Sequence, residues 1–387
     1  MKRLTIILLC LWLLTACTNK KTEETSIEKP NKQDFYFSSV VDIYDEYIPM
    51  LNTVCKLTYH DNEYNEQIIN DINQIMTKYH KLLDNYHYYR DEDDNLIKNI
   101  RYLNDYYGKG PIEVSDEMVD ILTNVKELMV LTRGYFNPFI GELINSYSSL
   151  FSNFPLVRED IDKKIIDNYL GNTVDYRDID EILYIDGNMV SFNIYKDIDS
   201  ISLNLGAFSK GYVGDKVLDY LKDYENNLIL NEGTSSIMVH GKEGDSFTVG
   251  VRNPSNRYSY LFALTLANNQ SISTSGSDQN YYLLADNTIR CHIINPFTGY
   301  SDNYYNIVTV ICENAMIADS LSTALFNVED IELIKSIILD IENAYNTDID
   351  IILVSKYDNE DYIVKTSLDK EDLLNKSSNI LSTELIN

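Results

Sequence analysis

Tryptophan is almost missing from this chain: the single residue, Trp12, lies in the first stretch of sequence. Cysteine is scarce as well, five residues in 387, with no CxxC spacing. Cys10 and Cys17 sit in the N-terminal segment, which leaves Cys55, Cys291 and Cys312. An odd number without paired spacing indicates neither a disulfide framework nor a zinc site. Positive charge is short too: 32 Lys and Arg stand against 60 Asp and Glu, a formal charge of −28. Nucleic acid and anionic lipid both require a basic surface, so neither is an expected binding partner. No tandem repeat is visible, and no strong linker follows Gln33. What the chain does have is 44% hydrophobic residues and 31 tyrosines, enough for a proper core in one large domain or two small ones.

Residues 1–17, MKRLTIILLCLWLLTAC, begin with positive charge, continue as an apolar run and end in small residues. The run is too short for a comfortable membrane span and reads as a secretory signal. Leu14-Thr15-Ala16-Cys17 resembles a bacterial lipobox, in which Cys17 is acylated and becomes the first mature residue. Residues 18–34 are polar and charged, a tether between that anchor and a folded part over residues 35–387. The expected location is the extracytoplasmic face of a bacterial cell membrane.

Along the folded part, Thr53 to Tyr59 alternates as a strand, and Glu63 to Tyr86 carries apolar residues at helical spacing. Ser115 caps a helix to about Arg133, Gly134 ends it, and Tyr135-Phe136-Asn137-Pro138 opens a short helix through Tyr147. EILYIDGNMVSFN reads as a hairpin about a Gly-Asn turn. Ile201 to Leu205 is expected to be a strand feeding Gly206-Ala207-Phe208-Ser209-Lys210-Gly211 and a helix from Val213 to Tyr220. A small-residue turn at a helix start is a natural anion site, since free N–H groups and the helix dipole converge there; an ordinary tight turn is the plainer reading. Further strands are expected at Asn227 to Leu230, Ile237 to His240, Phe247 to Val251, Tyr260 to Leu266 and within Gln270 to Gly276. After His292 come the strand NIVTVIC, the helix ENAMIADSLSTALF, a helix from Ile331 to Ile341, and a hairpin of Ile349 to Val354 with Tyr362 to Thr366. Strands and helices do not alternate regularly, which favours an α+β fold.

Asp319 and Thr323 stand four apart on the expected helix, so a carboxylate and a hydroxyl share one face. Two oxygen ligands held that way suit a hard cation such as Mg2+. A helix cap and a hydroxyl bonded to the preceding turn would produce the same spacing.

Taken together, the turns resemble, in order, those of the ApbE flavin transferases (FAD:protein FMN transferases). Gly206 to Asp215, GAFSKGYVGD, resembles that family's glycine-alanine-x-x-lysine-glycine-tyrosine motif. Ser273-Thr274-Ser275-Gly276 resembles its threonine-serine-glycine turn, and HIINPFTG its histidine-isoleucine-x-aspartate-proline-x-threonine-glycine motif. Ala318-Asp319-Ser320-Leu321-Ser322-Thr323 matches the alanine-aspartate…threonine helix, Met50 to Thr53 the first strand, and Gly134 to Leu143 the glycine-x-phenylalanine-aspartate-proline segment. The resemblance implies a single α+β domain of ApbE-like, T-fold-related type, with mixed and antiparallel sheets and packed helices. It implies FAD as substrate, contacted at Thr53, Tyr135, Phe136, Asn137, Asn204, Lys210, Thr274, Ser275, Gly276 and Ile293. It also implies Mg2+ held by the carbonyl of Ala207 and the side chains of Asp319 and Thr323, with His292 at the catalytic position. Members move FMN from FAD to a threonine hydroxyl of a target redox protein and release AMP. Asn137, Asn204 and Asn295 stand where the family often has aspartate, and Glu232-Gly233-Thr234-Ser235-Ser236 replaces a more usual double-glycine turn. Two other functions remain open: FAD hydrolysis to FMN and AMP, and a surface lipoprotein that binds FAD without turning it over.

Overall fold

The computed structural model describes residues 35–37, 55–60 and 66–386, apart from 153–155, 197, 199, 225–226, 234 and 359–360. The signal segment with Cys17, the tether and Thr53 lie outside the described residues. In chain order the elements are β1 (Phe35–Phe37), β2 (Cys55–His60), α1 (Glu66–Leu83), α2 (Ile100–Asn104), β3 (Ile112–Glu113), α3 (Asp116–Leu131), α4 (Gly141–Tyr147), α5 (Lys163–Asn172) and α6 (Ile179–Ile182). There follow β4 (Leu183–Asp186), β5 (Met189–Phe192), α7 (Ser209–Leu221), β6 (Asn227–Glu232), β7 (Ser236–His240), β8 (Ser246–Asn253), β9 (Asn256–Ala267) and β10 (Ser271–Gly276). The last are β11 (Tyr281–Leu283), β12 (Ile289–Cys291), β13 (Ile307–Cys312), α8 (Ala315–Phe326), α9 (Ile331–Tyr345), β14 (Asp350–Lys356), β15 (Tyr362–Thr366) and β16 (Ile380–Leu385).

Among the described residues the framework is a nine-stranded sheet in the order β1-β2-β6-β7-β10-β13-β14-β15-β16. The strands neighbour one another in the order in which the chain makes them. Every pairing is antiparallel except β15 with β16. Helices and the smaller sheets are carried in the connections between these strands, which makes the fold α+β.

The period-two alternation of side chains divides the core between the two faces of the sheet. Leu228, Leu230, Met238, Val308, Val310 and Leu353 pack on one face with α1, α7 and α8. Val239, Ile272, Ile307, Ile311, Ile352 and Val354 pack on the other face against the β8–β9 hairpin. All six residues of β13 are buried, as expected for a central strand covered on both sides. Helix α8 is buried almost all round, from Ala315 to Phe326. A helix so enclosed has little solvated face: Asp319 and Ser322 are buried and Thr323 is half-buried, and all three find partners inside the protein.

Two expectations are corrected, and one strand lies beyond them. Ile201 to Leu205 is extended but not a strand, because its backbone is engaged elsewhere. The Asn104 amide accepts from Leu203 N and donates to Leu203 O (2.7 and 3.1 Å), Gly141 N donates to Ser202 O, and Asn204 N donates to Pro138 O. The short helix expected from Tyr135 begins at Gly141, after a series of turns. The parallel edge strand β16 was not foreseen, since ILSTEL carries no strong alternation.

Candidate active site

The site forms where α7 and α8 cross beneath the ends of β7 and β10. Gly211 makes the crossing possible: a Cβ there would lie 2.1 Å from the carbonyl oxygen of Ala315. The close approach lets Gly211 N donate to Asp319 Oδ2 at 3.1 Å. Asp215, one turn further along α7, accepts from the N–H groups of Ala315 and Met316 at 2.7 and 2.9 Å. Burial raises the Asp215 pKa to about 7, against the lowering effect of those two bonds. Carboxylates at a helix N-terminus are favourable, because the first N–H groups have no partner within the helix.

Asp319 is 4% exposed and accepts on both oxygens. Ser236 and Ser273 hydroxyls donate to Oδ1 at 3.3 and 3.1 Å, and the Lys210 ammonium lies 3.4 Å from the carboxylate. The same ammonium is 3.4 Å from Gly206 O. One turn along α8, Thr323 Oγ1 is 3.2 Å from Ser275 Oγ, which also contacts Ser322 Oγ at 2.9 Å. A carboxylate, several hydroxyls and the carbonyl-bearing turn Gly206-Ala207 therefore converge, with a cation already standing among the oxygens. Among the described residues no group of three or more His, Cys, Asp or Glu is placed to hold a metal. A metal here would rely on Asp319 and neutral oxygens, the donor set of Mg2+ and not of zinc.

The strand period separates the members of the Ser273-Thr274-Ser275-Gly276 turn. Ser273 and Ser275 point toward α8, while Thr274 points to the opposite face, with its Oγ1 3.0 Å from Thr309 Oγ1. The Thr274 side chain is therefore not part of the Asp319 cluster. Ser236 and Ser273, to which the resemblance assigned no contact, are part of it. The alternation of serines at 271, 273 and 275 was the available signal.

His292 follows β12, its N–H donating to Asn280 O and its Nδ1 lying 3.2 Å from Gln279 O. Its ring reaches solvent, although protein crowds around it. That crowding, and then the Lys210 charge, lower its pKa from 6.5 to about 4, while the Gln279 contact raises it. His292 is therefore neutral at pH 7 and able to accept a proton. Lys210 thus acts on both Asp319 and His292, which places the three in one electrostatic environment.

The remaining expected contacts divide. Tyr135 is half-buried and meets the exposed Phe297 edge-to-face at 4.9 Å, forming an aromatic wall. Phe136 is instead a core residue, packed against Phe208, and Ile293 is buried in the same core. Neither side chain presents a free surface to a ligand. Asn137 is buried with both amide ends engaged, Nδ2 on Val174 O and Oδ1 on Phe139 N (3.1 and 2.9 Å). Asn204 accepts from Gly206 N at 2.9 Å and so shapes the turn that carries Ala207. Gly276 ends β10, where a Cβ would lie 2.9 Å from Asp278 Oδ1.

Known proteins resemble this chain in sequence and fold. FAD:protein FMN transferase from Vibrio cholerae is 26% identical over 266 residues, 67% of this chain and 71% of that one. The Klebsiella pneumoniae protein of the same name is 26% identical over 272 residues, 70% and 77% of the two chains. Among solved structures, the flavin transferase ApbE from Vibrio cholerae aligns with a TM-score of 0.64 at 20% identity, over 88% of this chain and 99% of that one. The ApbE protein from Thermotoga maritima aligns with a TM-score of 0.62 at 22% identity, over 83% and 94%. These likenesses establish the fold, and the match to the ApbE family extends over residues 51–341, from before β2 to the end of the α9 core; the chain belongs to the ApbE family.

Proposed function

We propose that this chain is a magnesium-dependent enzyme that transfers FMN from FAD to a threonine hydroxyl of a target redox protein and releases AMP. The observation that carries this reading is the placement of buried Asp319 and half-buried Thr323 one turn apart on one face of α8, with serine hydroxyls around them and Lys210 beside the carboxylate. The names of the related proteins support the flavin chemistry. The donor set fits Mg2+, which Asp319, Thr323 and the Ala207 carbonyl would hold. When bound, it would supply Lewis-acid stabilisation of charge on the phosphates.

In the transfer, the threonine oxygen bonds to the FMN phosphorus while the pyrophosphate P–O bond to AMP breaks. AMP leaves with the bridging oxygen, and the hydroxyl proton passes to a base. Neutral His292 is the candidate acceptor of that proton, or polarises a phosphate oxygen. Lys210 adds positive charge beside the phosphates, and the crossing of α7 and α8 fixes the group positions on which in-line transfer depends. The lipobox-like Leu14-Thr15-Ala16-Cys17 supports anchoring through Cys17 at the extracytoplasmic membrane face, which labelling with radioactive palmitate, and its loss in Cys17→Ser, would test.

The deciding experiment gives the full-length chain in detergent FAD and Mg2+, with and without a redox domain bearing an acceptor threonine. AMP formed only with acceptor, and flavin covalently on that acceptor, is the expected result. AMP with free FMN in both arms would replace transfer by hydrolysis, and intact FAD in both would leave a binding protein.

A further inference from the structure

Glu232 takes no part in the arrangement described so far. It is the last residue of β6, on the same strand face as Leu228 and Leu230, so its carboxyl group points into the helix layer. Cys55 on β2 and Ser236 on β7 lie opposite it in register. Its exposure is 0%, and neither carboxyl oxygen has a hydrogen-bond partner among the described residues. Buried polar groups are nearly always paired, so a fully enclosed, unpaired carboxyl group calls for a function. Burial raises its pKa well above the usual glutamate range; Lys210 is the cation acting against that rise, and Asp319 and Asp215 add to it.

Lys210 is the natural counterpart. Its ammonium lies 3.4 Å from the Asp319 carboxylate and 3.4 Å from Gly206 O, both long for charge-assisted bonds, which run about 2.7–2.9 Å. It occupies the oxygen-lined position where, on the reading proposed above, a divalent cation binds. Two cations cannot share that position, because their repulsion at such distances outweighs the attraction of one carboxylate. Lysine has a flexible four-carbon stem, and the unpaired carboxyl group on the neighbouring strand end is a place for the ammonium to go.

We propose that Glu232 is the reserve counter-ion of Lys210: when a divalent cation binds at Asp319 and Thr323, the ammonium leaves Asp319 and pairs with Glu232. Glu232 is then a positioning residue that keeps the metal position available and the lysine charge inside the cleft. The proposal rests on the metal reading but concerns a residue to which the resemblance assigns no role.

The test is isothermal titration calorimetry with MgCl2 alone on the full-length chain in detergent, compared with Glu232→Met, Lys210→Met and the double variant. Glu232→Met is expected to weaken Mg2+ binding at least tenfold. In the Lys210→Met background the same change is expected to alter binding less than twofold, because no displaced ammonium remains to be received. Wild-type affinity in Glu232→Met, or an equal loss in both backgrounds, would overturn the proposal while leaving the metal site standing. If the parent itself takes up no Mg2+, the metal reading fails and this proposal with it. Circular dichroism melting checks the fold, and Glu232→Gln, which keeps the shape and lacks the charge, replaces Glu232→Met if that variant does not fold, with a loss of at least fivefold expected.

Discussion

Replacing Gly211 by alanine adds one methyl group at the place where α7 and α8 touch. The new Cβ would stand 2.1 Å from Ala315 O, 2.6 Å from its carbonyl carbon and 2.7 Å from Met316 Cα. All three are backbone atoms, so no side-chain rotation relieves the overlap, and the helices must separate by more than about 1 Å to restore van der Waals contact. That separation acts on three bonds across the crossing, Gly211 N to Asp319 and the N–H groups of Ala315 and Met316 to Asp215. Overpacking costs about 1–3 kcal/mol. Weakening a bond to a buried carboxylate adds about 1.5–3 kcal/mol. Because the two effects share the same displacement they are not fully additive, and about 3–5 kcal/mol is expected. With an unfolding entropy of about 2.1 cal/mol/K per residue over the folded part, residues 35–387, that corresponds to a fall in Tm of roughly 4–7 °C. Differential scanning calorimetry measures the fall, and calorimetric titration should show weaker Mg2+ binding in the same variant. A melting point within about 1 °C of the parent, with unchanged Mg2+ affinity, would refute the claim that this glycine sets the helix crossing.

Asp319→Ala is expected to abolish Mg2+-dependent AMP release from FAD while the protein still folds. The loss of acceptors for Ser236, Ser273 and Gly211 N costs about 1–3 kcal/mol. Full turnover in that variant would sink the metal assignment. His292→Ala is expected to lower kcat about 10²–10⁴-fold with little change in the Kd for FAD. Equal losses in both would make the residue a binding group. NMR titration of His292 should give a midpoint shifted from 6.5 toward about 4, and Lys210→Met should raise it, since the lysine charge opposes protonation. The sign for stability follows from that shift. Between pH 6.5 and about 4 the unfolded chain binds this proton more readily, so the contribution of neutral His292 is full above pH 6.5 and is lost as pH falls through that window. A midpoint at or above 6.5 would show that the ring is not crowded in solution.

The parts of the fold that were legible in the sequence are those in which local pattern and tertiary environment agree. Ser115 caps α3 by accepting from Met118 N, and the Gly-Asn turn joins β4 to β5. The β14–β15 and β8–β9 hairpins fall where alternation placed them. Ile201 to Leu205 misleads because its apolar alternation is that of a strand, while its hydrogen bonds go to a side-chain amide and two loops, which no local pattern records. Within the site, the four-residue spacing of Asp319 and Thr323 was visible because it lies on one helix. The serines that complete their environment come from β7 and β10, and only the register Ser236↔Ser273 brings them beneath α8.

The asparagines that stand where the family often has aspartate show how the same physics decides between reading a residue as ligand contact or as turn chemistry. In all three the side-chain oxygen accepts a backbone N–H two residues ahead, from Phe139, Gly206 and Phe297, as an aspartate also would. What distinguishes the amide is its donor. Asn137 Nδ2 reaches Val174 O, and Asn295 Nδ2 reaches the Asp302 carboxylate at 2.5 Å. An aspartate at 137 would face a carbonyl with no hydrogen to offer, and one at 295 would set two carboxylates against each other in a half-buried turn. At these two positions the amide is what the neighbouring residues require. The lost charge is therefore no argument against nucleotide binding, because the side chains are already committed to shaping the turns next to Tyr135 and Phe297.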